Sequence, residues 1–278
     1  MLSLKRTRVA VALTIVLITA GLKASQRRYS AAYLIPQQAR VPVTDAPTHP
    51  LYETRAVHDP NGIGKFYMGR EIAQTMGPDG IAWLDRPERE TEERPEVVID
   101  ALRLWQGEVV VDLGAGSGYF TFRIAPKVGR TGEVLAVEIQ DEMLETIRRR
   151  AKALRVTNVR EVRGTETDPR LPADSVDLVL MVDVYHELAH PFEVMTHVRK
   201  ALKPGGRVVF VEYRKEDSQI AIKEVHKMSV VQLEKEMGVV GFQHVRTLET
   251  LPWQHIVVFE KGSEVGASAR QLQKSHRE

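Results

Sequence analysis

Five short apolar segments recur along the middle of the chain, each of strand length and rich in β-branched residues. Continuous apolar runs are typical of strands that are buried on both faces of a parallel sheet. Residues 140–154 and 191–202, which separate some of these runs, have the apolar spacing of helices. The pattern therefore predicts a doubly wound α/β fold. The predicted strands are residues 109–113, 133–138, 159–162, 176–182 and 207–212.

The end of this region departs from the alternation of strand and helix. Residues 230–240 carry their apolar positions on one helical face, and Gly241 offers a helix stop. Two further predicted strands, residues 244–248 and 255–260, follow with a short turn between them. We therefore predict a mostly parallel, seven-stranded sheet that ends in an antiparallel hairpin.

Outside this core, composition divides the chain further. Recurring prolines between residues 36 and 60 favour an extended tether, and the polar C-terminal residues lack apolar periodicity. The predicted organisation is a hydrophobic signal or anchor at 1–28, a Pro-rich linker at 29–60, a helical cap at 61–96 with a helix over 70–76, the α/β domain at 97–261 and a disordered tail at 262–278.

The N-terminal segment has basic residues on both sides of an uncharged stretch, residues 9–22. As a helix this stretch would reach about 21 Å, against a hydrocarbon core of about 30 Å. It is consistent with an uncleaved anchor or membrane-surface helix, a cleaved signal, or a buried or mis-started segment. Because both flanks are basic, the charges do not predict an orientation.

The composition of the chain excludes several kinds of site and partner. The chain has 278 residues, a formal net charge of +2 and no cysteine, which excludes disulfides, thiolate metal ligands and thiol nucleophiles. No dense basic block interleaved with aromatic residues occurs outside the N-terminus, so nucleic acid is not an expected partner. We predict no metal ion.

A glycine-rich turn, VVVDLGAGSGYF, follows the first core strand. Glycines at 114, 116 and 118 would let the backbone approach a ligand where a Cβ would occupy its space, and would leave amides free at the helix start. The spacing differs from the G-x-G-x-x-G of dinucleotide sites, and Asp112 would repel a phosphate. Glu138, at the end of the second strand, can accept the hydroxyls of a ribose. The predicted ligand is a nucleoside without phosphates.

Four motifs carry a family resemblance: VVVDLGAGSGYF, VLAVEIQDEML, LPADSVDLVLMVDVYHEL and LKPGGRVVFVEYR. In this order and at these separations they resemble the class I S-adenosylmethionine-dependent methyltransferases, and the resemblance covers about residues 97–261. It implies a Rossmann-like fold and S-adenosyl-L-methionine as the cofactor.

The resemblance also implies roles for individual residues. The residues at the end of the first strand would cradle the methionine part of the cofactor, and Glu138 would hold the ribose. Thr165 stands where the family often places an acidic residue against adenine, with Glu166 and Asp168 beside it. Asp183 would face cofactor and substrate. The implied cofactor-binding residues are Asp112, Gly114, Gly116, Gly118, Glu138, Glu166, Asp168 and Asp183.

Simpler interpretations exist for these carboxylates. Asp112 could cap the following helix, and Glu138 could be a solvated strand end. Glu166 and Asp168 could be ordinary acidic turn residues before a proline.

The candidate catalytic residues are Tyr185, His186 and Glu187, which follow the fourth strand. His186 has the intrinsic pKa of a base near neutral pH. Alternatively, Tyr185 and His186 only form the wall of the pocket, because methyl transfer to a reactive nucleophile needs no base.

The expected function is methyl transfer to a small-molecule acceptor. No Asn/Asp-Pro-Pro-Tyr/Phe sequence follows the fourth strand, which disfavours amide and exocyclic amino nitrogens as acceptors. The anchor-like N-terminus suits an apolar acceptor and a membrane-associated enzyme with its catalytic domain in the cytoplasm; export through a signal peptide is the alternative. The alternative functions are an NAD(P)-dependent oxidoreductase and a non-catalytic nucleoside-binding sensor or scaffold.

Overall fold

A computed structural model describes residues 51–262 of the chain. Its strands are β1 (Tyr52–Thr54), β2 (Gly62–Tyr67), β3 (Arg70–Ala73), β4 (Val109–Leu113), β5 (Glu133–Glu138), β6 (Val159–Arg163), β7 (Val176–Val182), β8 (Leu202–Arg214), β9 (Lys227–Met228), β10 (Phe242–Leu248) and β11 (Gln254–Lys261). Its helices are α1 (Ile81–Leu84), α2 (Arg89–Glu92), α3 (Pro95–Leu102), α4 (Thr121–Val128), α5 (Asp141–Leu154), α6 (Pro191–Ala201) and α7 (Val230–Val240), with 3-10 turns at Pro78–Gly80, Tyr185–Glu187 and Glu224–His226.

The main sheet has the strand order β10-β11-β8-β7-β4-β5-β6, and the two-residue β9 pairs with the end of β8. The five strands β4 to β8 run parallel, whereas β11 is antiparallel to both β8 and β10. This confirms the predicted parallel sheet with a terminal hairpin.

Helices bury both faces of the sheet, which is why its strands read as continuous apolar runs. On β4, Val110 packs on the side of α3 and α4, while Val111 packs with α6 and α7. Helix α7 begins where the hydroxyl of Ser229 accepts a hydrogen bond from the Gln232 amide, and it ends at Gly241 with φ of 92°.

The predicted helix over residues 70–76 is wrong. Residues 70–73 form strand β3, and β1 lies within the segment predicted as linker, so a three-stranded antiparallel sheet, β1-β2-β3, precedes the short helices. The β2–β3 turn consists of Met68 and Gly69, both with positive φ (51° and 94°), as a tight two-residue hairpin requires. A helical spacing over seven residues is too short to distinguish helix from strand.

Buried polar contacts hold this N-terminal sheet against the main domain. The Arg70 guanidinium donates two hydrogen bonds to the Glu236 carboxylate on α7, at 2.9 and 3.1 Å, and one to the carbonyl of His186 at 3.2 Å. The Tyr52 hydroxyl donates to Glu193 on α6 at 2.5 Å. The sheet is thereby fixed beside the turn that follows β7.

Several expectations fall outside the described residues: the hydrophobic segment at 9–22, most of the linker, and the tail from residue 263 onward. Within residues 51–262, none of the helices has both the length and the apolar character needed to cross a membrane.

Candidate active site

A cavity of about 520 Å³ lies at the carboxyl ends of the parallel strands, which is where ligands bind in open α/β sheets. Gly114 after β4, Glu138 at the end of β5 and Asp183 after β7 contribute to its wall. Trp83 from α1 and His226 from the turn before β9 close it from the other side. The volume is within the usual range of about 300–1,000 Å³ for small-molecule sites.

The glycine turn has a structural reason in addition to the predicted approach of a ligand. Gly114, Gly116 and Gly118 all have positive φ (72°, 55° and 84°), which side-chain-bearing residues adopt at a cost. A Cβ at Gly114 would lie 2.5 Å from Val184, and one at Gly116 would lie 2.8 Å from Leu84. The missing side chains therefore make room for the protein itself. Gly114 and Gly116 line the cavity, whereas Gly118 does not.

Glu138 is buried at the end of β5 and lines the cavity. One carboxylate oxygen accepts the backbone N–H groups of Ile139 and Gln140, at 2.6 and 3.2 Å. The other accepts the Gly116 N–H at 3.1 Å. Because a carboxylate has about four acceptor sites, at least one remains for a ligand hydroxyl. The backbone thus holds a negative charge in place before any ligand arrives.

Asp112 does not line the cavity, contrary to the cofactor contact that the resemblance implied. Its carboxylate accepts a 2.6 Å hydrogen bond from the hydroxyl of Thr121, the first residue of α4. Burial raises the pKa of Asp112 to about 6. The carboxylate is thus held by the side chain of the first helical residue, at the helix start where the simpler interpretation places it.

Asp183 lines the cavity with a φ of 54°, in the left-handed region. One carboxylate oxygen accepts from the side-chain amide of Gln254 at 2.8 Å. The other is buried and has no hydrogen-bond partner among the described residues, an arrangement that is costly unless a ligand donor meets it. Burial, reinforced by the negative charges of Glu93 and Glu212, raises the pKa of Asp183 well above its usual range.

The acidic residues after β6 separate in the structure. Thr165 and Glu166 line the cavity. Asp168 does not: its carboxylate accepts the Arg170 amide at 2.7 Å and its carbonyl accepts the Thr165 amide at 2.8 Å, which closes a turn. Asp168 is therefore placed as a turn residue rather than as a cofactor contact.

Tyr185 is also displaced from its predicted position. Its ring is fully buried against Phe210, and its hydroxyl donates to the Glu236 carboxylate at 2.7 Å. Burial, together with the negative charge of Glu236, raises its pKa well above the usual range. It does not line the cavity, so it cannot touch a substrate bound there.

His186 and Glu187 do line the cavity. Nδ1 of His186 lies 2.5 Å from a carboxylate oxygen of Glu212, and Nε2 lies 3.1 Å from Nδ1 of His226. One carboxylate oxygen of Glu187 accepts the Met76 amide at 3.1 Å. Its other oxygen faces both imidazoles, 3.9 Å from His186 and 3.8 Å from His226.

The surroundings shift the protonation of these groups. Burial raises the pKa of Glu187 to about 7. Burial, together with the neighbouring His186, lowers the pKa of His226 to about 4. For His186, burial alone would lower the pKa, but the adjacent Glu212 outweighs it and raises the pKa.

Three residues of this group were not predicted. Glu212 ends a buried apolar run on β8, and a carboxylate in such a position was an available signal. His226 lies forty residues from its partner, in a segment without a motif, and only the fold brings them together. Met76 contributes backbone atoms alone: its N–H donates to Glu187, and its carbonyl accepts from the side chain of Gln140 at 2.9 Å.

The cavity fits S-adenosylmethionine on two observations. Glu138 presents a held carboxylate to a ligand hydroxyl, and Asp183 presents an unpaired buried oxygen to an N–H donor or a cation. Ile139 and Met143 add apolar surface beside Glu138 against which a base can stack. The fold and this cavity define a class I methyltransferase domain, whose cofactor is S-adenosylmethionine.

Comparison with known proteins agrees. Residues 111–208 match a family model described as a methyltransferase domain. The UbiE ubiquinone/menaquinone biosynthesis C-methyltransferase of Pasteurella multocida is 30% identical over 118 residues, 42% of this chain and 44% of that protein. An uncharacterized 37.1 kDa protein in transposon Tn4556 of Streptomyces fradiae is 33% identical over 143 residues, 51% of this chain and 41% of that protein.

The fold is shared with a crystal structure of a SAM dependent methyltransferase from Aquifex aeolicus, at a TM-score of 0.64 and 24% identity, over 67% of this chain and 100% of that one. The chain spans less than half the length of the curated relatives it matches. Residues 111–208 are therefore a methyltransferase domain, and the fold around them is that of S-adenosylmethionine-dependent methyltransferases.

Proposed function

We propose that the protein transfers a methyl group from S-adenosylmethionine to a small apolar acceptor. The observation that carries the proposal is the placement of the held Glu138 carboxylate and the unpaired Asp183 oxygen in one cavity. The first suits a ribose hydroxyl and the second suits a cationic or N–H group. A phosphate-bearing cofactor would meet the negative charge of the Glu138 carboxylate, which the backbone holds at the cavity wall.

When bound, S-adenosylmethionine would supply a methyl group attached to a sulfonium. A lone pair of the acceptor would form the new bond to the methyl carbon, and the electron pair of the broken carbon–sulfur bond would stay on sulfur. The protein's part is to orient and to exclude water. Glu138 and Asp183 orient the cofactor. Trp83 and Met76, from the segment after the N-terminal sheet, also line the cavity and would help to exclude water from a bound cofactor.

We assign the acceptor to the part of the cavity around His186 and His226, called the acceptor end, since Glu138 and Asp183 are assigned to the cofactor. The cavity lining includes the apolar side chains of Met76, Trp83, Leu188, Val194 and Ile222, which supports an apolar substrate. Burial of apolar surface at about 25 cal/mol per Å² would supply much of the affinity for such an acceptor. Similarity to a C-methyltransferase of ubiquinone/menaquinone biosynthesis supports an acceptor related to quinones.

The test begins with calorimetric titration of the full chain with S-adenosylmethionine, S-adenosylhomocysteine and NADH. We expect both adenosyl ligands to bind and NADH not to bind. Glu138→Gln should weaken S-adenosylmethionine by about tenfold or more, because a hydrogen bond to a charged group contributes about 1.5–3 kcal/mol. Glu133→Gln, at the partly exposed start of the same strand, is the matched control and should bind normally.

Methyl-labelled S-adenosylmethionine is then incubated with the protein and apolar small-molecule extracts. Label in an organic-soluble product, lost with Glu138→Gln, supports methyl transfer. Cofactor binding without label in any extract would favour the nucleoside-binding sensor. NADH binding without adenosyl-ligand binding would favour the oxidoreductase.

We further propose that residues 9–22 hold the chain at a membrane, with the catalytic domain in the cytoplasm where its cofactor is made. The support is the apolar segment between basic flanks. Recovery of the intact N-terminus in a membrane fraction would support an anchor. A shortened N-terminus in an exported fraction would support a cleaved signal instead.

A further inference from the structure

Two histidines and a glutamate converge in the cavity from separate turns. His186 and Glu187 lie on the turn after β7, and His226 lies on the turn before β9. In the described range 51–262, they are the one group of three or more His, Asp or Glu side chains whose ligand atoms all lie within 4.8 Å of one another. All three line the cavity.

The spacing of the two imidazoles matches ligands of one ion. Nε2 of His186 and Nδ1 of His226 are 3.1 Å apart, and the ring planes are inclined at 76°. Two nitrogens that are each about 2.1 Å from the same ion lie about 3.0–3.4 Å apart for angles between a right angle and a tetrahedral angle. Without an ion, one N–H between the rings gives the same contact, and an ion would take the place of that proton between the two nitrogens.

Glu187 provides the third ligand. Its inward oxygen is 3.8 and 3.9 Å from the two imidazole nitrogens, about half an ångström beyond the ligand spacing above. A small rotation of the carboxylate closes this difference. The hydrogen bond from Met76 to the outward oxygen keeps the inward oxygen aimed at the histidines.

A supporting carboxylate stands behind the first histidine. Glu212, which is fully buried, lies 2.5 Å from Nδ1 of His186 and accepts a hydrogen bond from that nitrogen. This hydrogen bond leaves the Nε2 lone pair of His186 pointing at His226. Carboxylate–histidine–metal arrangements of this kind orient the ring and increase its basicity as a ligand.

We propose that His186, Glu187 and His226 bind a divalent transition ion of the zinc, cobalt or ferrous-iron type. Two imidazoles and one carboxylate favour such ions over Mg²⁺ or Ca²⁺, which prefer all-oxygen sites. Three protein ligands leave coordination positions open toward the cavity, as in catalytic rather than structural sites.

The open positions give the ion a function in the same cavity. This step rests on the proposed methyl transfer. In that reaction the open coordination positions hold an oxygen of the acceptor, and the ion thereby selects a hydroxylated apolar compound. Glu187 is linked through Met76 to Gln140, two residues after Glu138, so the ion stands beside the cofactor end.

The binding test uses full-length protein without a polyhistidine tag, stripped with a chelator. Zn²⁺, Co²⁺ and Mg²⁺ are titrated by calorimetry, and Co²⁺ is also followed by visible absorption. We expect one equivalent of Zn²⁺ or Co²⁺ and none of Mg²⁺. His226→Ala and Glu187→Gln should each weaken metal binding by roughly 100-fold. Loss of a residue that only supports a ligand costs up to about 100-fold, and these two residues are proposed as ligands themselves.

The matched control is His244→Gln, because His244 is an exposed histidine outside the cavity and lies 3.0 Å from the single carboxylate of Glu234. Its metal binding should equal that of the wild type. Loss of binding in this control, or equal binding by His226→Ala, would overturn the site. So would the absence of any Zn²⁺ or Co²⁺ binding by folded protein.

Acetohydroxamate, a small bidentate oxygen ligand, tests the open positions. A shift of the Co²⁺ spectrum supports an acceptor-binding ion, and an unchanged spectrum overturns that role. S-adenosylmethionine binding is measured on the same samples. Metal binding without cofactor binding would defeat the methyltransferase proposal alone, whereas cofactor binding with methyl transfer but without metal would defeat the metal site alone.

Discussion

The two ends of the cavity are built in different ways. The cofactor end uses consecutive residues at strand ends, and Glu138 is held by amides from its own turn and from the glycine turn of the neighbouring strand. The acceptor end joins His186, Glu212 and His226 across long stretches of chain, with Met76 and Arg70 supporting it from the N-terminal sheet and the segment after it.

This difference separates cofactor binding, which proteins of this fold share, from acceptor recognition, which varies among them. A motif confined to one or two turns carries its geometry wherever the fold occurs. The acceptor end depends on contacts between elements, so its composition can vary while the cofactor end is kept. Variants of the two ends should therefore fail in different ways.

The largest effect should come from the contact that joins the N-terminal sheet to the acceptor end. Arg70→Ala leaves the fully buried Glu236 carboxylate without its positively charged partner, the guanidinium. This loss costs about 3–5 kcal/mol of unfolding free energy. Chemical denaturation should show this loss of unfolding free energy. Arg55→Ala, an exposed arginine of the same sheet region, should change stability by less than about 0.5 kcal/mol.

Arg70→Lys keeps the charge but not the two-pronged contact, so its stability should lie between those of the wild type and Arg70→Ala. If Arg70→Ala is as stable as Arg55→Ala, the sheet is not anchored by this pair.

A second effect should separate stability from binding at Asp112. Its raised folded pKa, about 6, means that the ionised form is disfavoured in the native state. The protonated carboxyl therefore favours the folded state. Its contribution to the free energy of unfolding is fully present below the unfolded pKa of about 3.8 and is lost as pH rises through 6. Asp112→Asn should thus gain up to about 3 kcal/mol over the wild type above pH 7 and nothing near pH 4.

Unfolding free energies across pH test this, with exposed Asp100→Asn as the control. Cofactor affinity of Asp112→Asn should stay within about threefold, because a cap does not touch the ligand. Abolished binding by a stable variant would return Asp112 to the cofactor site.

Asp183 should behave differently, although it is also a buried carboxylate with a raised pKa. Asp183→Asn keeps the Gln254 contact and tolerates the left-handed backbone, but it places an amide NH2 donor where the unpaired acceptor oxygen lies. We expect about tenfold weaker S-adenosylmethionine binding by calorimetry, or about 1.4 kcal/mol.

The stability of Asp183→Asn should rise relative to the wild type as pH increases, because the raised pKa of Asp183 means that its ionisation destabilises the fold. Unchanged cofactor affinity would show that the unpaired oxygen faces another ligand.

The smallest effect should come from the hairpin turn. Gly69→Ala places a side chain in the left-handed region with open space around it, so the cost is conformational alone, about 1 kcal/mol. Thermal unfolding measures it. Gly238→Ala, in α7 with equally open space, is the opposite control and should stabilise by a few tenths to 1 kcal/mol.

The cofactor end was the more predictable one, though not residue by residue. Glu138, Gly114, Gly116, Glu166 and Asp183 line the cavity as the motifs suggested. Asp112 and Asp168 satisfy backbone or hydroxyl groups of their own turns instead, and a one-dimensional motif does not show which way a carboxylate points.

The sequence by itself determined the doubly wound sheet and its terminal hairpin, because apolar periodicity acts through neighbouring residues. Its glycine-rich turn predicted a nucleoside ligand, and the resemblance of its four motifs to a family implied the cofactor. Tertiary structure alone decided that residues 70–73 form a strand and that Tyr185 is buried away from the cavity. It also decided that His226 meets His186. These outcomes depend on which distant surfaces pack together, and the free energy of such packing is not encoded in the spacing of any one segment.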